Sequence, residues 1–502
     1  MSNLLFDRLF KCHEGETKSF LIFADGSEQS YDNFLKKTAR FANVIQSLGL
    51  VVGDRLAAQI EKSPEALALY AACVQSGIIF LPLNKAYTPN EVSYFVGDSG
   101  AKLIVADENF NLEDIAHEHG ALLESLNTDG SGSFVEYSQN ASEKFETVTR
   151  AADDLVAFLY TSGTTGRSKG AMLTHKNLLS NAETLVNEWE FDEHDVLLHA
   201  LPIFHTHGLF VATNTILLAK GSMIFLQDFS TDMVIHSLPK ASTMMGVPTF
   251  YTRLLDDPRL TSDLTSHMRL FISGSAPLLA ETHIQFESRT GHRILERYGM
   301  TETNMNTSNP YHGERRAGTV GRALPGVDIK ITNPNTGKKL ADGEIGQIEV
   351  RGPNVFVGYW NMPGKTREEL RENGFFITGD LGLIDDLGYL QIVGRNKDLI
   401  ISGGYNIYPK EIELLLDDQP GILESAVIGA PHPDFGESVI GVIVADGSQP
   451  IDLDVIEGAL GKNLARFKRP RKLFVVDSLP RNTMGKVQKN MIRDLFGSTF
   501  QG

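Results

Sequence analysis

Through the first 390 residues, short apolar runs alternate with segments whose apolar positions recur every three or four residues. Residues 34–48 carry Phe41, Val44, Ile45 and Leu48 at helical spacing, and a strand-like run follows at 55–60. Residues 64–76 repeat the helical pattern, with Pro64 at the start and Gly77 just past the end, the positions at which those two residues suit a helix. A strand-like run at 78–81, a helix beginning near Pro89 and a strand at 102–106 continue the alternation. Strands separated by helices of this length predict parallel α/β layers. Residues 126–152 are polar and rich in Ser, Gly and Asn, and read as a surface connection, because the apolar pattern resumes at Leu155. From about residue 320, alternating runs at 328–331, 345–350 and 389–393 predict a β-rich subdomain. A boundary is expected near 394–398, dividing the chain into domains 1–396 and 397–502. The second is read as a small α+β domain: helix 409–418, strands 424–428 and 439–444, helix 453–464 and strand 472–476.

The length of 502 residues fits this division, since one core rarely grows so large. With 42% hydrophobic and 22% charged residues the chain is globular and has apolar surface enough for cores without staples. Its two cysteines, Cys12 and Cys73, form no CxxC pair; they fit a reducing compartment and read as small buried or half-buried residues. A net charge of −17, from 46 basic and 63 acidic residues, argues against nucleic acid or an anionic membrane as partner. Asp7 interrupts the N-terminal segment before any long apolar core, so no signal peptide is expected. The most apolar stretch, about 200–226, is broken by His205, His207, Asn214 and Lys220, so no membrane span is expected and the cytoplasm is the default. Residues 462–493 reverse the overall sign, with ten Lys or Arg (among them Arg466, Lys468 and Lys486) against Asp477 alone. Two readings stay open: a solvated basic face, or a surface that meets a polyanionic small molecule.

The densest chemistry follows the apolar run 155–160, in Tyr160-Thr161-Ser162-Gly163-Thr164-Thr165-Gly166-Arg167-Ser168-Lys169-Gly170. Its glycines let the backbone approach a ligand, and its hydroxyls with Lys169 offer donors to phosphate oxygens. Gly166 and Lys169 are separated by two residues, which rules out the adjacent Gly-Lys of a Walker A loop and disfavours a P-loop kinase or ATPase.

This loop resembles the phosphate-binding signature of the adenylate-forming superfamily of acyl-CoA synthetases, peptide-synthetase adenylation domains and beetle luciferases. Four further segments match in order: Tyr298-Gly299-Met300-Thr301-Glu302, Thr378-Gly379-Asp380, Gly394-Arg395-Asn396-Lys397-Asp398, and Pro480-Arg481-Asn482-Thr483-Met484-Gly485-Lys486. The resemblance implies an AMP-forming acid–thiol ligase that uses ATP, Mg²⁺ and coenzyme A. It assigns Thr161, Ser162, Gly163, Thr164, Thr165, Gly166 and Lys169 to the phosphates, and Gly274, Ser275, Ala276, Glu296, Tyr298, Gly299 and Met300 to the nucleotide. Thr301 lies near the α-phosphate, Glu302 with Thr165 holds the metal, and Asp380 and Arg395 take the ribose side. Lys486 bridges the reacting carboxylate and the α-phosphate. Lys397 is the hinge about which the C-terminal domain moves, and Gly403, Gly404, Arg466 and Lys468 meet coenzyme A. Lysines matching Lys486 are acetylated in many relatives, which adds a lysine acetyltransferase and deacetylase as partners.

Within the superfamily the chain is most similar to the malonyl-CoA synthetase branch, which accepts malonate and often methylmalonate. The segments that carry this are 201–209, 246–255, 272–276 and 300–308. A second carboxylate is expensive to bury unpaired, and the fork of Arg253 suits it. The resemblance gives Arg253 that task, with Ser275 beside it and Met305 in the acyl pocket. His205 and His207 either gate the acyl channel, donate to the substrate or are ordinary packed histidines; no acid or cysteine cluster accompanies them as in a metal site. A short- or medium-chain acyl-CoA synthetase is the alternative on the same fold, and a nucleotide-binding regulatory protein with a decayed site is the alternative outside catalysis.

Overall fold

The computed structural model describes residues 3–161, 168–403, 405–482 and 485–500. Two mainly parallel sheets build the first of two compact units, Met1–Asp328 with Val350–Phe376. One sheet has six strands, in the order Leu122–Ser125, Leu103–Ala106, Arg55–Gln59, Ile79–Pro82, Leu155–Thr161, Lys169–Thr174; only its last pair is antiparallel. The other has nine strands. Its parallel centre runs Leu295–Met300, Leu270–Ser273, Thr243–Gly246, Val196–His199, Ser222–Phe225, Ser19–Ile22. Strands 243–246, 270–273 and 222–225 are buried at every residue, which suits a parallel sheet covered on both faces.

The helices form where the sequence places them. Tyr31–Ser47 starts at Ser30, whose hydroxyl accepts from the Asn33 N–H, and buries Phe34, Phe41, Val44 and Ile45 on one face. Pro64–Ser76 is capped by Ser63 and stopped by Gly77 at φ +73, and every residue from Ala66 onward is buried, so it is an interior helix.

Three features correct or extend the sequence reading. The polar connection 126–152 contains the helix Ser133–Gln139, which forms because Phe134 is fully buried edge-on against Phe41. The apolar stretch near 200–226 folds as a π-helical turn, His207–Thr213, that continues into Asn214–Ala219. Its residues are buried almost throughout, and no described helix is long and apolar enough to cross a membrane. Cys73 is buried, but Cys12 is exposed, with its thiol 3.3 Å from the Arg8 carbonyl, because it sits on the outer side of the turn Lys11–His13.

The second unit comprises Ile329–Glu349 and Ile377–Gly502. The β-rich subdomain is a four-stranded sheet, Asp328–Thr332, Gly346–Arg351, Phe376–Ile384, Leu390–Arg395, most of which falls within this unit. A five-stranded sheet follows, built on the long hairpin Ile422–His432 and Gly436–Ala445 with Lys472–Val476 parallel to the latter. The hairpin Ile400–Ser402 and Tyr405–Ile407 joins its edge. Helices Pro409–Asp417 and Leu453–Asn463 supply Ile412, Leu416, Ile456 and Leu460 to its core. Compactness thus divides the chain at other residues than 396/397; a division by compactness does not say where the chain pivots.

Candidate active site

Four adjacent parallel strands of the nine-stranded sheet end beside one another and deliver ten of the expected residues. Past 196–199 come His205 and His207; past 243–246 comes the helix Pro248–Leu255 with Arg253; past 270–273 come Gly274, Ser275 and Ala276; 295–300 itself carries Glu296, Tyr298, Gly299 and Met300. The carboxyl ends of parallel strands are where open α/β sheets bind ligands. Gly299 is required there: a Cβ would lie 1.9 Å from the Asn304 carbonyl, at the bulge between Tyr298 and Gly299. Ser275 holds φ +72, a left-handed conformation that costs a side-chain-bearing residue energy and recurs at functional sites.

The buried half of this group is polar. Glu296 is 7% exposed, and burial pushes its carboxyl up to about 8. Tyr298 and Met305 are buried, and Met300 and Thr301 half-buried. His207 is buried, its Nδ1 3.2 Å from the Ser275 hydroxyl; burial first, and then the Arg297 charge, hold it far below the ordinary imidazole range, so the ring is neutral. His205 is half-buried and accepts the His207 backbone N–H through Nδ1 at 3.4 Å. Arg253 lies in the last turn of its helix and is exposed.

On the six-stranded sheet, the strands Leu155–Thr161 and Lys169–Thr174 pair Thr161 with Lys169. Ser162, Gly163, Thr164, Thr165 and Gly166, expected at the phosphates, lie outside the described residues, as does Gly404. Lys169 is 6% exposed, and its Nζ lies 3.0 and 2.9 Å from the two carboxylate oxygens of Glu369 and 4.1 Å from the Tyr359 ring centre. The Tyr359 hydroxyl is 2.6 Å from Glu369 and 3.1 Å from Glu302, and the Thr161 hydroxyl donates to Glu302 at 3.1 Å. Burial pushes the Glu302 carboxyl up, and Lys169 draws it back. Tyr359 and Glu369 were not among the expected residues. Neither carries a sequence signal, since Glu369 sits in a run of ordinary helical charges, 365–369.

In the second unit, Asp380 and Arg395 face each other across the antiparallel pair Phe376–Ile384 and Leu390–Arg395, with Arg395 Nε 3.0 Å from Asp380 Oδ1. Lys397 is exposed in the turn Asn396–Asp398. Lys486 follows Gly485 at φ +73 and is half-buried; its N–H donates to Asn482 Oδ1 at 2.9 Å, while its carbonyl accepts the Asn482 N–H at 3.0 Å. Burial first, then Arg395 and Lys397, push its amine down to about 8 against the opposing pull of Asp380 and Asp398. Four of the ten cations of the basic tail form ion pairs: Lys468 with Glu411 at 2.7 Å, Lys489 with Glu413, Arg481 with Glu424 and Arg493 with Asp398 at 2.7 Å. Arg466, in the turn Arg466–Lys468, and Gly403, at φ +57, are exposed.

The sequence matches the AMP-binding enzyme family over residues 11–360 and its C-terminal domain over residues 411–486. The chain belongs to the AMP-binding enzymes. The malonate–CoA ligase of Arabidopsis thaliana is 34% identical over 94% of this AMP-binding enzyme and 85% of its own length. A mitochondrial malonate–CoA ligase of Xenopus laevis is 31% identical over 95% and 89%. The crystal structure of ATP-bound MatB from Rhodopseudomonas palustris is 56% identical, with all of both chains covered and a TM-score of 0.97.

Proposed function

We propose that this AMP-binding enzyme is a cytoplasmic malonate–CoA ligase, converting ATP, malonate and coenzyme A to malonyl-CoA, AMP and pyrophosphate, with methylmalonate also accepted. The malonate–CoA ligases alignable over nearly the whole chain support the substrate, and the residues support the chemistry. One malonate carboxylate oxygen attacks the α-phosphorus of ATP and pyrophosphate departs, leaving malonyl-AMP. The thiolate of coenzyme A then attacks the acyl carbonyl and AMP departs.

The observation that carries the first step lies within the second unit. Lys486, 106 residues after Asp380, is half-buried in the same unit, and the charges of Asp380 and Arg395 act on its amine. Asp380 is suited to two ribose hydroxyls because a carboxylate accepts twice. In this reading the lysine works near the ribose acid, and its charge meets the negative charge that develops at the α-phosphate. A partly desolvated ammonium acts more strongly on that charge than a hydrated one.

Glu302, with the hydroxyls of Thr161 and Tyr359 beside it, is a buried carboxylate among hard oxygen donors. This donor set fits Mg²⁺, which takes one or two carboxylates together with phosphate oxygens and offsets their charge. Lys169 meets the phosphates, and Arg253 and Ser275 meet the second carboxylate. For the second step the segment after Lys397 reorients, exchanging Lys486 for the face that carries Gly403 and Gly404, with Arg466 and Lys468 toward the phosphates of coenzyme A. Acetylation of Lys486 by a lysine acetyltransferase removes the charge on which the first step depends, and a deacetylase restores it.

The test is exchange of labelled pyrophosphate into ATP without coenzyme A. Malonate-dependent exchange is the expected result; exchange with no acid, malonate included, overturns the adenylate route.

A further inference from the structure

Tyr160 heads the phosphate-loop motif, but its side chain is spent on a helix outside it. The ring stacks on Phe95 with centres 4.4 Å apart, and the hydroxyl donates to Asp98 Oδ2 at 2.6 Å. Burial, and then Asp98, hold the phenol far above its ordinary pKa, so the hydroxyl is a fixed donor. Phe95 and Asp98 belong to the helix Pro89–Ser99, which is capped at both ends, by Thr88 with Glu91 and by Gly100 at φ +61. Tyr94, four residues before Asp98 and therefore on the same helix face, donates its hydroxyl to the Ser168 carbonyl at 2.9 Å.

Tyr160 and Ser168 stand on the two stems of the phosphate loop. Tyr160 is the last residue but one of Leu155–Thr161, and Ser168 immediately precedes Lys169–Thr174. One helix face thus holds the chain on both sides, where Thr161 pairs with Lys169 and the Thr161 hydroxyl donates to Glu302. Asp98 makes a further tie. Its backbone carbonyl, in the last turn of the helix, accepts Trp360 Nε1 at 2.9 Å and Asn361 Nδ2 at 3.3 Å. The segment that carries Trp360 bonds back to the second stem's strand, Met172 N–H to the Gly358 carbonyl and Trp360 N–H to the Gly170 carbonyl. It also carries Tyr359, whose hydroxyl reaches Glu302 and Glu369. Stacking on Phe95 alone would bury Tyr160 without direction; the hydrogen bonds from both stems fix position as well.

We infer that Tyr94 and Asp98 are positioning residues for ATP, holding the two stems of the phosphate loop in place against Lys169 and Glu302. The inference rests on the adenylating reaction proposed above and adds a helix to its machinery. Placement of reacting groups within about 1 Å is worth large factors in rate. The two half-reactions must then respond differently. Adenylation uses all the phosphates of ATP, whereas thioester formation starts from malonyl-AMP after pyrophosphate has left.

The experiment measures kcat/KM for ATP, the KM for malonate, and single-turnover thioester formation from supplied malonyl-AMP. It compares the wild type with Tyr94→Phe, Asp98→Ala and Asp98→Asn. The kcat/KM for ATP is expected to fall on the order of tenfold in Tyr94→Phe and further in Asp98→Ala. The KM for malonate and the thioester step should stay at wild-type values. Asp98→Asn, which keeps an acceptor for the Tyr160 hydroxyl, should recover most of the loss. Equal loss of both half-reactions, or a KM for malonate that rises with that for ATP, overturns the inference, as does an unchanged kcat/KM for ATP. Should Asp98→Ala fail to fold, Tyr94→Phe and Tyr160→Phe, each one oxygen smaller, carry the comparison. A wild type that adenylates another acid in place of malonate contradicts the malonate reading alone, and the same comparison with that acid decides the inference. A wild type that never converts ATP to AMP overturns both.

Discussion

Lys169 and Glu369, two hundred residues apart, form a two-point ion pair, with Nζ 3.0 and 2.9 Å from the carboxylate oxygens. The lysine is 6% exposed, so it depends on this partner. Glu369→Gln keeps the shape and removes the charge. The expected loss is about 1–3 kcal/mol of unfolding free energy, less than for a fully buried pair because the Glu369 side chain keeps 19% of its surface in solvent. Urea unfolding of the variant measures it, and an unchanged midpoint would show the pair to be of no consequence for the fold.

On the proposed mechanism, Lys486→Ala removes a charge that acts on the transition state of adenylation alone. Pyrophosphate exchange should fall about 100- to 1000-fold, while thioester formation from supplied malonyl-AMP survives. Equal loss of both half-reactions would contradict the assignment.

The same lysine sets a pH dependence. Its amine must be charged to act, and in the free enzyme it is pushed down to about 8. The kcat/KM for adenylation should therefore hold below about pH 8 and fall as pH rises through it. Bound ATP and malonate favour the ammonium, so the descending limb of kcat should lie at higher pH than that of kcat/KM. A kcat/KM flat to pH 10 would remove Lys486 from this role.

Lys397→Pro restricts the backbone in the exposed turn Asn396–Asp398. Adenylation should be spared and thioester formation slowed. Single-turnover measurements of the two half-reactions separate these outcomes, and equal slowing would place the pivot elsewhere.

Arg253→Ala should lower kcat/KM for malonate more than for propionate, by about tenfold, because the side chain is exposed and its charge is screened. An unchanged ratio in AMP-release assays would leave Arg253 without a part in selecting the acid.

Much of the fold was legible because local signals agreed. Pro64 and Gly77 bracket a helix observed as Pro64–Ser76, and the strand read at 472–476 is observed as Lys472–Val476. The helix 133–139 was not legible, because its composition is that of a loop and only the tertiary contact of Phe134 with Phe41 holds it. The final helix, Lys489–Phe496, was hidden in a basic run, and the pairing of that run with Glu411, Glu413, Glu424 and Asp398 depends on distant chain. Among the candidate functional residues, linear motifs brought out Lys169 and Glu302 in the first unit and Asp380, Arg395 and Lys486 in the second. Tyr359 and Glu369 belong to no motif that was read as chemistry.

The most direct measurement gives the purified protein ATP, Mg²⁺ and coenzyme A with a panel of short mono- and dicarboxylic acids and scores AMP release, with the thioester product identified by mass. Malonate should give the highest kcat/KM and malonyl-CoA as product, with acetate and butyrate far behind. Preference for a monocarboxylic acid, or ATP never converted to AMP, would contradict the proposed function.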